Sequence, residues 1–381
     1  MKKLFYFGLI GIALVEILKV YFIMPMPGSQ EIESLGIAYF IYSYRWFFRI
    51  VFALMIAAGS LSAFGSKRKW IPAVVLLIVI AVSYFFNFPM MADSMFKQPE
   101  RLTFKSRSEN MLNDSTIVIG IEYQGEAKAY PIRFLVYHHQ VQDEIGGKPM
   151  IITYCSVCRT GRVFEPMVNQ QHETFRLVGM DHFNAMFEDS NTKSWWRQAT
   201  GEAVAGPLKG NVLPEVESVQ STLGKWFELH PSALVMQLDE SSKENYDLLG
   251  KYERGKSKGS LTRTDSLSWK NKSWVVGITI DEQSKAYDWN KLKEVRIIND
   301  EIGNKPIVLA LSHDDQSFVA FERPSGKENT TIRNDTIFSG SNSFDFDGRS
   351  LSSSLPLKKI KAYQEFWHSW RTFHPGTLRY E

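Results

Sequence analysis

Residues 118–149 read VIGIEYQGEAKAYPIRFLVYHHQVQDEIGGKP, and residues 275–306 read VVGITIDEQSKAYDWNKLKEVRIINDEIGNKP. Set against each other without a gap, Val118–Pro149 and Val275–Pro306 agree at 13 of 32 positions, among them Lys-Ala-Tyr, Asp-Glu-Ile-Gly and Lys-Pro. Such self-similarity marks two copies of one supersecondary unit. Each copy reads as a strand, a turn (124–126; 281–284), a strand ending in Ala-Tyr, a short helix, an Asp-Glu-Ile-Gly turn and a long apolar strand (Met150–Tyr154; Ile307–Leu311). The ends repeat too, Trp226–Pro231 (WFELHP) echoing Trp370–Pro375 (WRTFHP). Strands predominate, so a β-rich α+β domain built from two pseudo-symmetric copies is expected. The shared Asp143 and Glu144 belong to turn grammar rather than to acid–base chemistry: Gly146 and Gly303 supply a positive φ, and Pro149 and Pro306 open a strand.

Next along the chain comes KPMIITYCSVCRTGRVFEP, Lys148–Pro166, which holds the only two cysteines, Cys155 and Cys158. A C-x-x-C unit can form a disulfide for thiol exchange, offer half of a metal site, or staple a turn. Met150–Tyr154 is a β-branched and aromatic run and Arg162–Glu165 reads as a second short strand. The cysteines therefore fall at a hairpin tip, with Gly161 closing the turn. Thioredoxin-like enzymes place the pair at a helix N-terminus, and no helical periodicity follows Cys158. A metal site needs further ligands. His138, His139, His172, Met180, His182 and Met186 lie nearby in sequence, and the set drawn from them is Cys155, Cys158, His139, His182 and Met180. Thiolate, thioether and imidazole suit copper or zinc rather than magnesium or calcium. For either exchange or metal chemistry the pair is expected to be exposed at the tip with His139 or His182 beside a sulfur; a staple would be buried.

The copies differ where the reactive letters stand. Cys155 aligns with Ser312, Cys158 with Asp315 and His139 with Arg296, so one copy holds the chemistry and the other supports it. Phe175–Gly210 has little counterpart in the second copy, and Trp195, Trp196 and Arg197 there are candidates for a pocket wall, with a buried-core role the competing reading for the two tryptophans. Gly206–Gly210 lacks a P-loop ending, Asp345–Gly348 reads as a turn rather than a calcium loop, and neither G-x-S-x-G nor H-E-x-x-H occurs.

AKAYPI, a His followed by V-x-D-E-I-G-G-K-P, I-T-Y-C-x-x-C, and the block SWWRQATGEAVAGPLKG together resemble the domain-of-unknown-function family numbered 3179, over residues 93–381. The resemblance implies a bacterial or archaeal extracytoplasmic domain and brings no activity, substrate or cofactor with it. Cys155, Cys158 and His139 match the family pattern. Ser156 and Gln140 stand where members often carry Pro and Glu, which bears on turn stiffness and on charge beside the histidine.

The N-terminal quarter is apolar. Spans are expected at about 4–24, 44–64 and 70–88, the first with only Glu16 and Lys19 inside it, spaced to neutralise each other on one helix face. Lys2, Lys3 and Lys67-Arg68-Lys69 flank one side. The loop Pro25–Ser43 on the other side carries Glu31 and Glu33 and no Lys or Arg, which puts the N-terminus inside and residues 97–381 outside a cytoplasmic membrane. Arg45 and Arg49 vote the other way and read as interfacial anchors, snorkelling or paired with a headgroup or an acidic partner. Absence of an A-x-A-like site makes the first span an uncleaved helix. The resulting divisions are a membrane region 1–92, a first copy 93–240, a linker 241–274 rich in Lys, Ser, Gly and Thr toward its end, and a second copy 275–381.

A net charge of +3, with 44% hydrophobic and 22% charged residues, describes a folding chain and argues against a nucleic-acid binder. The implied partners are the lipid bilayer and a protein or small molecule that the letters do not identify. Two function classes follow: an extracytoplasmic metal-handling or thiol-redox module using Cys155 and Cys158, or a ligand-binding or interaction domain in which the same cysteines form a structural disulfide.

Overall fold

The computed structural model describes residues 1–65, 67–323, 329–352 and 355–381, without the side chains of 247–249. Ser66, in the loop read as cytoplasmic, lies outside the described residues. The chain divides into two compact units: residues 1–97 with 173–197 and 202–212, and residues 98–172 with 198–201 and 213–381.

Among the described residues of the first unit, three helices are long and apolar enough to cross a membrane: α1 (Lys2–Tyr21), α3 (Arg45–Phe64) and α4 (Trp70–Asn87). Small residues let α1 and α3 pack closely, since a Cβ at Gly8 would stand 2.7 Å from the carbonyl oxygen of Phe52. The segment read as a plain loop contains a further helix, α2 (Leu35–Ser43). Nine residues are too few to span, but their apolar face has a use: Ala38 is buried with Ile23, Val178, Met186, Trp195, Val204 and Ala205, and Tyr39 and Tyr42 pack against them. Five of these partners come from an antiparallel sheet of Phe175–Asp181, Asn184–Asp189, Trp195–Arg197 and Ala203–Ala205.

The second unit is β-rich, and one order of elements occurs in it twice. Strand Ile117–Tyr123, strand Glu126–Pro131, helix Ile132–His138, strand Gln140–Ile145 and strand Lys148–Cys155 run in the sequence that Trp274–Ile280, Gln283–Asp288, Trp289–Val295, Ile297–Ile302 and Lys305–Leu311 repeat. Glu126–Pro131 lies between Ile117–Tyr123 and a parallel strand Leu234–Met236, as Gln283–Asp288 lies between Trp274–Ile280 and a parallel strand Leu378–Arg379.

Side-chain detail follows the same order. Tyr130 donates to Asp143 at 2.6 Å and Tyr287 to Asp300 at 2.8 Å. Both short helices end in a left-handed residue, His139 at φ 59° and Arg296 at φ 65°. Alternation along Trp274–Ile280 sends Val276, Ile278 and Ile280 into one core with Trp289, Leu292 and Leu309, while Val275 faces Trp367 and Trp370 on the other side. Glycine at 120 and 277 is required by close approach, because a Cβ there would run into the indole rings of Trp226 and Trp370.

Candidate functional site

The cysteines close a hairpin. Strand Lys148–Cys155 pairs with Thr160–Phe164 so that Cys155 faces Thr160, which leaves Ser156–Arg159 as the turn. Arg159, at φ 57°, takes the left-handed position, whereas Gly161 is already in the second strand, where a Cβ would meet Ile119 at 2.8 Å. An arginine tolerates that backbone because its side chain is fixed from all sides. Its guanidinium donates to Gln364 Oε1 (3.0 Å) and to the carbonyls of Tyr252 (3.2 Å) and Glu253 (2.9 Å), and stacks on Trp274 at 3.6 Å. Those two carbonyls end the helix Lys243–Glu253, where unpaired oxygens and the negative end of the dipole suit a cation.

The expectation of an exposed tip is corrected: Cys155 and Cys158 are both 0% exposed. They lie 3.2 Å apart and are not joined by a disulfide. What covers them is chain from far along the sequence, which meets three carbonyls of the turn. Ser156 O accepts from the Tyr252 hydroxyl at 2.8 Å, Val157 O from Lys272 Nζ at 2.8 Å, and Cys158 O from the Phe366 amide at 2.8 Å. Lys272 also donates to Leu261 O (2.6 Å) and lies 3.1 Å from His368 Nε2.

The charge state of this cover follows from burial. Burial pulls the Lys272 ammonium down to about 8, and Cys158, then Cys155, act against that fall. His368 is lowered to about 3, first by burial and then by Lys272, so it is neutral at physiological pH. Its Nε2 also stands 3.2 Å from the carbonyl oxygen of Val157, so imidazole and ammonium meet at the same acceptor. His139 is lowered to about 4, chiefly by burial. Its Nδ1 stands 2.9 Å from Tyr154 O, so Nδ1 carries the proton and Nε2 the lone pair. Because the backbone carbonyl of His139 also accepts from the Tyr154 amide at 2.8 Å, ring and main chain together bracket the residue before Cys155.

The other candidate residues belong to the first unit. Met180 is a strand residue whose amide donates to Ile23 O at 2.7 Å. His182 lies between two carboxylates, with Nδ1 2.7 Å from Asp181 and Nε2 3.2 Å from Glu33; the bond to Asp181 raises its pKa. Trp195 and Trp196 are buried, their indole N–H groups donating to Glu188 (3.0 Å) and Asp189 (2.9 Å). Arg197 pairs with Asp181 at 2.6 Å and Glu202 at 3.3 Å. In the second unit His172 is exposed, and His138 Nε2 is 2.5 Å from the Tyr246 hydroxyl.

Lys272 and His368 are the residues sequence reading missed. Lys272 stands in a stretch whose composition reads as linker, and in the echo of 370–375 by 226–231 the position of His368 is held by Gly224. Among the described residues, ligand atoms of three His, Cys, Asp or Glu side chains come within 4.8 Å of one another at Glu122, His230 and Asp347. There Lys359 (2.6 Å) and Arg349 (3.1 Å) already neutralise Asp347.

No curated protein and no solved structure matches the chain. Residues 88–377 match the family model described as protein of unknown function DUF3179, and the chain belongs to that family.

Proposed function

We propose that the chain is a membrane-anchored, extracytoplasmic thiol-redox module in which Cys155 and Cys158 alternate between dithiol and disulfide. The observation that carries this reading is the placing of Lys272: a partly buried ammonium bonded to the carbonyl between the two cysteines, feeling Cys158 more than Cys155. A cation there stabilises a thiolate, the nucleophilic form. Cys158 thiolate attacks a disulfide of a partner protein and releases one partner thiolate. Cys155, deprotonated, then attacks the Cys158 sulfur, closing the pair and releasing the second thiolate. Two electrons pass to the partner, and the protons of both cysteines go to its two thiolates. The reaction requires the cover at 252–272 and 366–368 to open, since neither sulfur is exposed.

A second reading has its own support. A neutral imidazole whose other nitrogen donates to a backbone carbonyl is how metal-bound histidines are held, and His139 is so arranged. Two thiolates with copper(I) and Lys272 sum to zero charge, whereas zinc(II) leaves the site positive and needs a fourth ligand. On this reading His139 joins Cys155 and Cys158 as the third ligand.

The anchor is read from α1, α3 and α4 with the lysine and arginine asymmetry, giving an N-terminus inside the cytoplasmic membrane and residues 97–381 outside. The extracytoplasmic part is read as a first copy (93–240) keeping the cysteines and a second (275–381) supporting them, joined by 241–274. The repeated element order and the paired Tyr–Asp bonds support that division. Where the first copy has His139 and Cys158, the second has an ion pair between Arg296 and Asp315.

The full chain, purified in detergent without oxygen, decides among these. Thiol exchange gives two alkylatable cysteines that become one disulfide in a glutathione titration, without metal. A copper site gives one equivalent of metal that is lost in Cys155→Ser. A pair that stays a disulfide under the strongest glutathione reduction, with no metal bound, is a staple and ends both readings.

A further inference from the structure

Within the first unit lies a polar cluster that the cysteine chemistry does not use. The Glu16 carboxylate, in α1, accepts from Arg49 Nε (2.6 Å) and Nη2 (3.0 Å), from Asn87 Nδ2 (2.7 Å) and from Lys19 Nζ (2.7 Å). Two cations therefore meet one carboxylate, and the excess charge is positive. Ionised groups inside apolar helices are costly and are kept where they have a partner or a task. Arg49 has five N–H donors; Nε and Nη2 are spent on Glu16 and on Asn87 Oδ1 (2.6 Å), and Nη1 has no hydrogen-bond partner among the described residues. The guanidinium stacks on Trp46 at 4.6 Å and lines a groove of 660 Å³ whose other walls include Ile12, Ile80, Tyr84 and Phe88.

Depth narrows what can fill the groove. Arg49 is four residues from the start of α3, Asn87 ends α4, and Glu16 is five residues from the end of α1. At 1.5 Å per residue all three fall within about 8 Å of the helix ends that the charge asymmetry places outward. That level is the boundary between headgroups and acyl chains, where Trp and Tyr side chains such as Trp46 and Tyr84 collect. Resting on the membrane reading above, we propose that this groove between α1, α3 and α4 binds the phosphate of an anionic phospholipid, with its acyl chains along the apolar wall. A phosphate matches both the planar fork of Arg49 and the net charge of the cluster. A zwitterionic lipid brings its own ammonium and leaves the excess charge unbalanced.

The test uses the full chain, stripped of lipid in detergent and offered equal amounts of phosphatidylglycerol and phosphatidylcholine, with bound lipid read by native mass spectrometry. Phosphatidylglycerol should be retained at least about tenfold over phosphatidylcholine. The preference should fall to about twofold or less in Arg49→Gln and in Trp46→Ala, the latter leaving the ion network intact should the former not fold. Equal retention of the two lipids, a preference that survives in folded Trp46→Ala, or a bound quinone in place of phospholipid overturns the site. Alkaline carbonate extraction of membranes separates the two failures. A chain released by carbonate overturns the membrane reading and the site with it, and a retained chain without lipid preference overturns the site alone.

Discussion

At the scale of single residues, Lys272 is the group on which the chemistry turns. Replacing it with Met removes the charge and keeps most of the packing, so the apparent pKa of cysteine alkylation should rise by roughly one unit or more. The carbonyls of Val157 and Leu261 lose a donor, at a cost of about 1–3 kcal/mol in stability. An alkylation profile unmoved by Lys272→Met would remove the cation from the mechanism. His139 and His368 make a separate prediction about acid. They bind protons in the folded state only near pH 4 and 3, while in the unfolded chain they do so near 6.5. Between those values the unfolded state holds more protons, so the stability these residues contribute is complete above pH 6.5 and is lost as pH falls toward 4. Each should forfeit roughly 2 kcal/mol between pH 7 and pH 5. Denaturant melts of His368→Gln across that interval should show a shallower loss than the unaltered chain, and an identical slope would contradict the assignment.

At the scale of elements, the packing of tryptophan on glycine occurs in both halves of the second unit. Trp226 lies on Gly120 and carries His230 against its ring at 4.0 Å; Trp370 lies on Gly277 and carries His374 at 3.7 Å. Neither ring has room to yield, since both indoles are buried. Gly120→Ala and Gly277→Ala should each destabilise the fold by about 1–3 kcal/mol, through overpacking rather than strain in φ. Comparable losses in the two melting curves are expected, and a neutral result at one position alone would show that the two elements do not carry equivalent loads.

At the scale of the whole molecule the decisive question is sidedness. With Cys155 and Cys158 changed to Ser, a cysteine placed at Lys67 should resist a membrane-impermeant maleimide in intact cells, while one placed at the exposed Lys358 should react. Labelling at position 67 without permeabilisation would reverse the orientation.

Much of this was legible in the letters because the signals are local. Apolar runs of about twenty residues marked α1, α3 and α4, whose observed ends differ from the expected spans by three residues or fewer. Alternation and turn residues marked the hairpin that carries the cysteines, and a gapless match at 118–149 and 275–306 marked an element order that the strands follow twice. Even the Glu16–Lys19 pair was readable, since three residues along a helix is one face. What only the tertiary structure decided is which distant segments meet. Nothing near Cys155 in sequence announces Lys272 or His368. Nor does anything in α2 announce that it will pack on a sheet at 175–205, or in Arg49 that its partner is Glu16. Burial of the cysteines is of the same kind. A hairpin tip is exposed by default, and this one is covered because three backbone carbonyls, left over by a tight turn, found donors from three other stretches of chain.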